Sequence, residues 1–100
     1  VAVLEKQIEA KVCDYAKECG LGVYKFTSPA RAAVPDRMFM YKGRVFFIEF
    51  KREGQKATPA QEREHNRMRQ HQINVFVVDN VEQGEIVIAA MMRMIEHILC

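Results

Sequence analysis

The stretch Val34-Pro-Asp-Arg-Met-Phe-Met-Tyr-Lys-Gly-Arg-Val-Phe-Phe-Ile-Glu-Phe-Lys51 decides how this chain folds. Met38 to Tyr41 and Arg44 to Lys51 are runs of bulky strand formers, and Lys42-Gly43 between them suits a two-residue hairpin loop. With that loop Tyr41 faces Arg44, opposed residue numbers sum to 85, and Asp36 lies opposite Glu49. A three-residue loop would shift the register by one and part the two acids. Opposed side chains on one face have β-carbons about 4.5–5.5 Å apart, where like charges destabilise a sheet. A divalent cation is the natural compensator, because hard carboxylate oxygens suit Mg²⁺ or Mn²⁺.

Strand alternation puts Glu49 and Lys51 on one face and Phe46, Ile48 and Phe50 on the other. Two carboxylates and an amine therefore converge. Such carboxylates would hold a metal that activates water and stabilises charge on a phosphate. Lys51 would orient the attacking water or neutralise the anionic transition state. A surface salt bridge is the commoner meaning of a Glu-x-Lys pair. Against that, Glu49 sits inside Val45-Phe-Phe-Ile-Glu-Phe-Lys51, where an acid is costly unless it is used.

Before the hairpin, Leu4, Ile8, Val12, Tyr15, Ala16 and Cys19 recur at helical spacing and Gly20 stops the run, which predicts a helix over residues 3–19. At about 100° per residue Glu5 falls inside that apolar stripe, almost above Val12, and would face the sheet as a third acid. Glu9, at the edge of the stripe, is the second choice, and either acid has solvent as its alternative. Val23 to Phe26 reads as a strand and Thr27 to Pro35 as a loop.

Beyond the hairpin, Thr58-Pro59-Ala60-Gln61 opens a second helix, polar almost all round, that runs to about Gln72. Gln61 fits there as a capping-box residue. Val75 to Val78 reads as a buried strand, and Val81 to Leu99 as a helix apolar on more than one face, which asks for a second partner such as another subunit. The order α-β-β-β-α-β-α indicates a mixed sheet flanked by helices.

One hundred residues with 49% hydrophobic content make one domain, residues 1–100, with one thin core, and self-association would bury more surface. A net charge of +2 is not that of a polycation that coats nucleic acid. The charge is concentrated, however: residues 25–56 hold eight bases (Lys25, Arg31, Arg37, Lys42, Arg44, Lys51, Arg52, Lys56) against three acids (Asp36, Glu49, Glu53). Each base taken singly also fits a solvated face. Arg31 would touch DNA from its loop or serve as a plain surface arginine.

Cys13, Cys19 and Cys100 are odd in number and lack Cys-x-x-Cys spacing, so neither a disulfide framework nor a zinc site is indicated and a reducing cytoplasm is expected. No signal peptide is read, and the longest apolar run, Ile86 to Met92, is too short to span a bilayer. His65, His71 and His97 show no ligand spacing and are assigned to surface or packing.

Taken together, Glu5-x-x-Ile8, Tyr24-Lys25-Phe26, Val34-Pro35-Asp36-Arg37, Phe47-Ile48-Glu49-Phe50-Lys51 and Thr58-Pro59-Ala60-Gln61 resemble the VRR-NUC family of the PD-(D/E)xK nuclease superfamily. The resemblance spans residues 5 to about 82 and departs at Ala33, where the family commonly has glycine. It implies an α/β fold with an αβββαβ restriction-endonuclease-like core, plus an extra C-terminal helix here. It also implies Mg²⁺ or Mn²⁺ held by the acids matching Asp36 and Glu49 and by the backbone carbonyl matching Phe50. The residue matching Lys51 would assist catalysis, with those matching Glu5 and Gln61 in support.

Stand-alone members of this kind are similar to phage or bacterial proteins, tend to dimerise, and include enzymes of branched DNA. The expectation is thus a homodimeric, structure-selective DNA endonuclease in a bacterial or phage-infected cytoplasm, acting on branched DNA such as Holliday junctions. Lys25, Arg31, Arg37 and Arg52 are its candidate DNA contacts. The alternatives are a flap- or nick-directed nuclease, an inactive DNA-binding module of the same fold, and a metal-independent oligomerisation domain. Opposed acids argue against the module, and Glu5 in the apolar stripe argues against the oligomerisation domain.

Overall fold

The computed structural model describes residues 3–99 and contains α1 (Glu5–Glu18), β1 (Gly22–Lys25), β2 (Arg37–Tyr41), β3 (Arg44–Phe50), α2 (Pro59–Gln70), β4 (Asn74–Val78) and α3 (Val81–Leu99). This is the succession expected from the sequence, with element ends displaced by one or two residues. Cys100 lies outside the described residues. Leu4, expected within the first apolar stripe, is instead the exposed N-cap of α1.

The sheet has the order β1-β2-β3-β4, antiparallel at the first two pairings and parallel at the last. The mixture follows from the connections: a tight loop joins β2 to β3, whereas β3 reaches β4 only by crossing over through α2. Lys42 and Gly43 have φ of 48° and 81°, the left-handed pair that a two-residue hairpin loop of the twist-compatible kind requires. Tyr41 accordingly opposes Arg44, Phe39 opposes Phe46, and Arg37 opposes Ile48. One step beyond the last of these pairs, Asp36 comes level with Glu49.

Alternation along β3 sends Phe46, Ile48 and Phe50 into a core shared with Ile8, Val12 and Ala16 of α1 and Ile88, Met91 and Ile95 of α3. Phe47 and Glu49 turn to the opposite face, where α2 packs. Two apolar helices therefore cover one face of the sheet and a single polar helix covers the other. The carboxylate of Glu49 is buried on that second, polar side.

Ala33, three residues ahead of Asp36, has φ of 67°, so the loop keeps a left-handed turn without the glycine that best accommodates it. An L-residue in that region costs about 1–2 kcal/mol, and glycine recovers this less about 0.4–1 kcal/mol of extra unfolded-chain entropy. Ala33→Gly is therefore expected to raise stability by about 0.5–1 kcal/mol in urea unfolding. Destabilisation would mean that the turn is not strained.

Candidate active site

Asp36 leaves a loop anchored by the fully buried Pro35, and it is fixed on both sides. Its carbonyl accepts the Phe26 N–H at 2.9 Å, and its carboxylate Oδ2 accepts the Phe50 N–H at 2.8 Å. The Lys51 N–H turns toward β4, where it donates to the Val78 carbonyl. Neighbouring residues of a strand present their backbone groups to opposite edges, so the N–H and carbonyl of Phe50 both turn to the Asp36 side.

Glu49 is 4% exposed. Its Oε2 accepts from Gln61 Nε2 at 3.2 Å and lies 3.9 Å from Lys51 Nζ, while its Oε1 has no hydrogen-bond partner. The two roles open to Gln61 turn out to be compatible. Its Oε1 accepts the Thr58 N–H at 2.9 Å and its own N–H donates to Thr58 Oγ1 at 3.1 Å, which closes the capping box. The amide nitrogen is left to reach Glu49.

Burial, reinforced by the charge of Asp36 and opposed by Lys51, pushes the Glu49 carboxyl up to about 8. A buried carboxyl with an unpartnered oxygen beside a second carboxylate fits a bound divalent cation, because two hard oxygen donors suit such an ion and would relieve the repulsion. Among the described residues, no three His, Cys, Asp or Glu side chains form a metal-holding group. The donors on offer are the two carboxylates and the Phe50 carbonyl.

The raised carboxyl has a pH consequence in metal-free protein. The stabilisation it gives is complete below about 4.5, where both folded and unfolded chains hold the proton, and is lost as pH rises to about 8. Glu49→Gln carries no such dependence. Between pH 5 and pH 9 in EDTA the native protein is expected to lose on the order of 4 kcal/mol relative to that variant in urea unfolding. A gap that stays constant with pH would show that Glu49 is not raised.

Glu5 is a correction to the sequence reading. It is exposed, because the first turn of α1 projects past the core and burial starts only at Ile8. It stands at the rim of the site, near enough for its charge to raise Glu49. Glu9 is engaged elsewhere, accepting from Arg37 Nε at 2.6 Å. Arg37 is thus tied to α1. Arg31 lies 3.3 Å from the buried Glu64 of α2, which also meets Arg67, so it staples the loop before Asp36 to α2 while its side chain stays half exposed. Lys25 and Arg52 are exposed.

His65 is the residue that sequence spacing missed. It is wholly buried on α2, one turn after Gln61, with Nε2 4.0 Å from Glu49 Oε1 and neither ring nitrogen partnered. Burial and the nearby Arg69 lower its pKa. The signal available was the four-residue step from Gln61, which places both side chains on one helix face. His71 and His97 are exposed, as expected. Cys13 is a buried thiol pushed up to about 11 by desolvation, and Cys19 is half-buried.

Beside the site a shallow groove of about 300 Å³ is lined by Lys56, Glu62, Val77 and Asp79, and Val77 is the β4 neighbour of Glu49. A second groove, between the hairpin loop and α3, is lined by Val45, Met94 and Ile98. Among the described residues no helix is long and apolar enough to cross a membrane.

No family model matches the chain. The protein named "Putative nuclease p44" of Acyrthosiphon pisum secondary endosymbiont phage 1 is 36% identical over 85 residues, covering 84% of this chain and 91% of that protein. A solved structure of a VRR_NUC domain is similar with a TM-score of 0.79 at 30% identity, over 85% of this chain and 94% of its own. Both likenesses extend over nearly the whole length of the relative rather than one motif.

Proposed function

The chain belongs to the VRR_NUC nuclease family, and from that membership we propose that it is a divalent-metal-dependent endonuclease that hydrolyses phosphodiester bonds in DNA, acting as a homodimer on branched substrates such as four-way junctions. The observation that carries the chemistry is Glu49: a buried carboxylate with one unpartnered oxygen, flanked by Asp36 and Lys51.

Asp36, Glu49 and the Phe50 carbonyl would hold Mg²⁺ or Mn²⁺, which when bound supplies a water of lowered pKa and positive charge against the phosphate. The Phe50 N–H holds Asp36 in place, so this carboxylate needs little reorganisation during reaction. Gln61 holds one oxygen of Glu49 from a helix whose start is itself locked by the capping box. Lys51, with its side chain 13% exposed, keeps an ammonium beside the carboxylates, where it neutralises charge developing on the phosphate. Lys25, Arg31 and Arg52 would meet the DNA backbone, which orients the duplex without reading its sequence.

Ile86, Met94, Ile98 and Leu99 leave an exposed apolar surface on α3, and this supports a second copy as partner. Two sites in one symmetric dimer suit paired cuts in a junction. Labelled four-way junction, flap, nicked, single-stranded and duplex DNA, offered with Mg²⁺ or Mn²⁺, test the substrate, and sedimentation tests the dimer. Preference for the junction by a dimer supports the proposal. Preference for the flap or nick by a monomer selects the rival nuclease, and binding without cutting leaves only a DNA-binding module.

A further inference from the structure

We propose that His65 is a positioning residue of this site, whose Nε2–H holds Oε1 of Glu49, so that Gln61 and His65 together clamp the two oxygens of one carboxylate. The two side chains stand one turn apart on the same face of α2, and each is directed at a different oxygen. Gln61 Nε2 is 3.2 Å from Oε2, and His65 Nε2 is 4.0 Å from Oε1. Bringing the second contact to hydrogen-bond length takes a shift of about 1 Å, within reach of a torsion of the Glu49 side chain.

The polar atoms of this pocket are otherwise unsatisfied. Glu49 Oε1 and both ring nitrogens of His65 are buried without partners. Leaving a buried donor or acceptor unpaired costs free energy, so a leucine here would fill the space at less expense than a histidine kept only for packing. A neutral ring that donates through Nε2 takes one lone pair of Oε1, leaves the other for the metal, and fixes the plane of the carboxylate. Its consequence for metal binding rests on the nuclease proposal; the contact itself does not.

The first test is ¹⁵N NMR of histidine-labelled protein in EDTA at pH 9, where Glu49 is ionised. The expected result is a neutral His65 ring in the Nε2–H tautomer, with an Nε2 resonance that moves in Glu49→Gln. An Nδ1–H tautomer indifferent to Glu49→Gln would overturn the clamp. The second test is Mn²⁺ affinity by calorimetry, with thermal unfolding as the check on folding. His65→Leu is expected to weaken Mn²⁺ about 10–100-fold, as loss of a residue that orients a ligand does. His65→Gln, which places an amide donor near the Nε2 position, should recover most of that loss. Native Mn²⁺ affinity in His65→Leu would overturn the positioning role. If the native protein binds no Mn²⁺ and cuts no DNA, the nuclease proposal fails, while the NMR result still decides the clamp.

Discussion

Lys51→Ala is expected to slow strand cleavage by about 10²–10³-fold at saturating protein while leaving DNA affinity nearly unchanged, the signature of an interaction made in the transition state. The ammonium is largely buried and 3.9 Å from Glu49 Oε2, so it acts where solvent screens it little. In metal-free protein it also opposes the rise of the Glu49 carboxyl. Lys51→Arg should not restore the rate, because a planar guanidinium cannot take the place of a compact ammonium in a closed site. Single-turnover rates on labelled DNA measure both effects. A Lys51→Ala rate near native would leave the lysine a partner of Glu49 in folding alone.

Gly84→Ala is expected to destabilise the protein by about 1–3 kcal/mol, lowering Tm by roughly 4–8 °C per kcal/mol. The helices α1 and α3 meet at Gly84, where an added β-carbon would lie 2.4 Å from Val12 Cγ2 and 3.0 Å from Cγ1. Val12 is fully buried and stiff at χ1, so the helices rather than the side chain must yield. Alanine is intrinsically the better helix former by about 1 kcal/mol, so a loss of stability measures the contact and not propensity. In a Val12→Ala background the two γ-carbon contacts are gone and only the β-carbon at 3.3 Å remains, offset by alanine's helix propensity, so Gly84→Ala should become close to neutral. Equal costs in both backgrounds would show that the helices do not meet there.

The hairpin was legible because its chemistry is local. Lys42-Gly43 sets a two-residue loop, the loop sets the register, and the register brings Asp36 level with Glu49. The cap of α2 was legible for the same reason, since Thr58 and Gln61 satisfy each other within three residues. What Gln61 does with its other end depends on where α2 lies over the sheet, which no local rule supplies.

Helix periodicity misplaced Glu5 because an angle about an axis says nothing of where the core ends along it. Val12 lies at nearly the same angle yet is fully buried, whereas Glu5, in the first turn of α1, is exposed. The ion pairs of Arg31 and Arg37 were hidden likewise, since their partners Glu64 and Glu9 come from other elements. His65 was missed because α2 reads as polar almost all round, so apart from the four-residue step from Gln61 nothing in its pattern marked the face turned to the sheet. Burial of Glu64 and His65 alone reveals that face.

Cleavage of labelled DNA by the native protein and by Asp36→Ala, in Mg²⁺, in Mn²⁺ and in EDTA, with folding checked by thermal unfolding, tests the proposed site most directly. The expected result is cutting that requires the cation and disappears in a folded Asp36→Ala protein. Cutting that persists in EDTA, or in Asp36→Ala, would contradict the assignment of Asp36 and Glu49 as the pair that holds the metal.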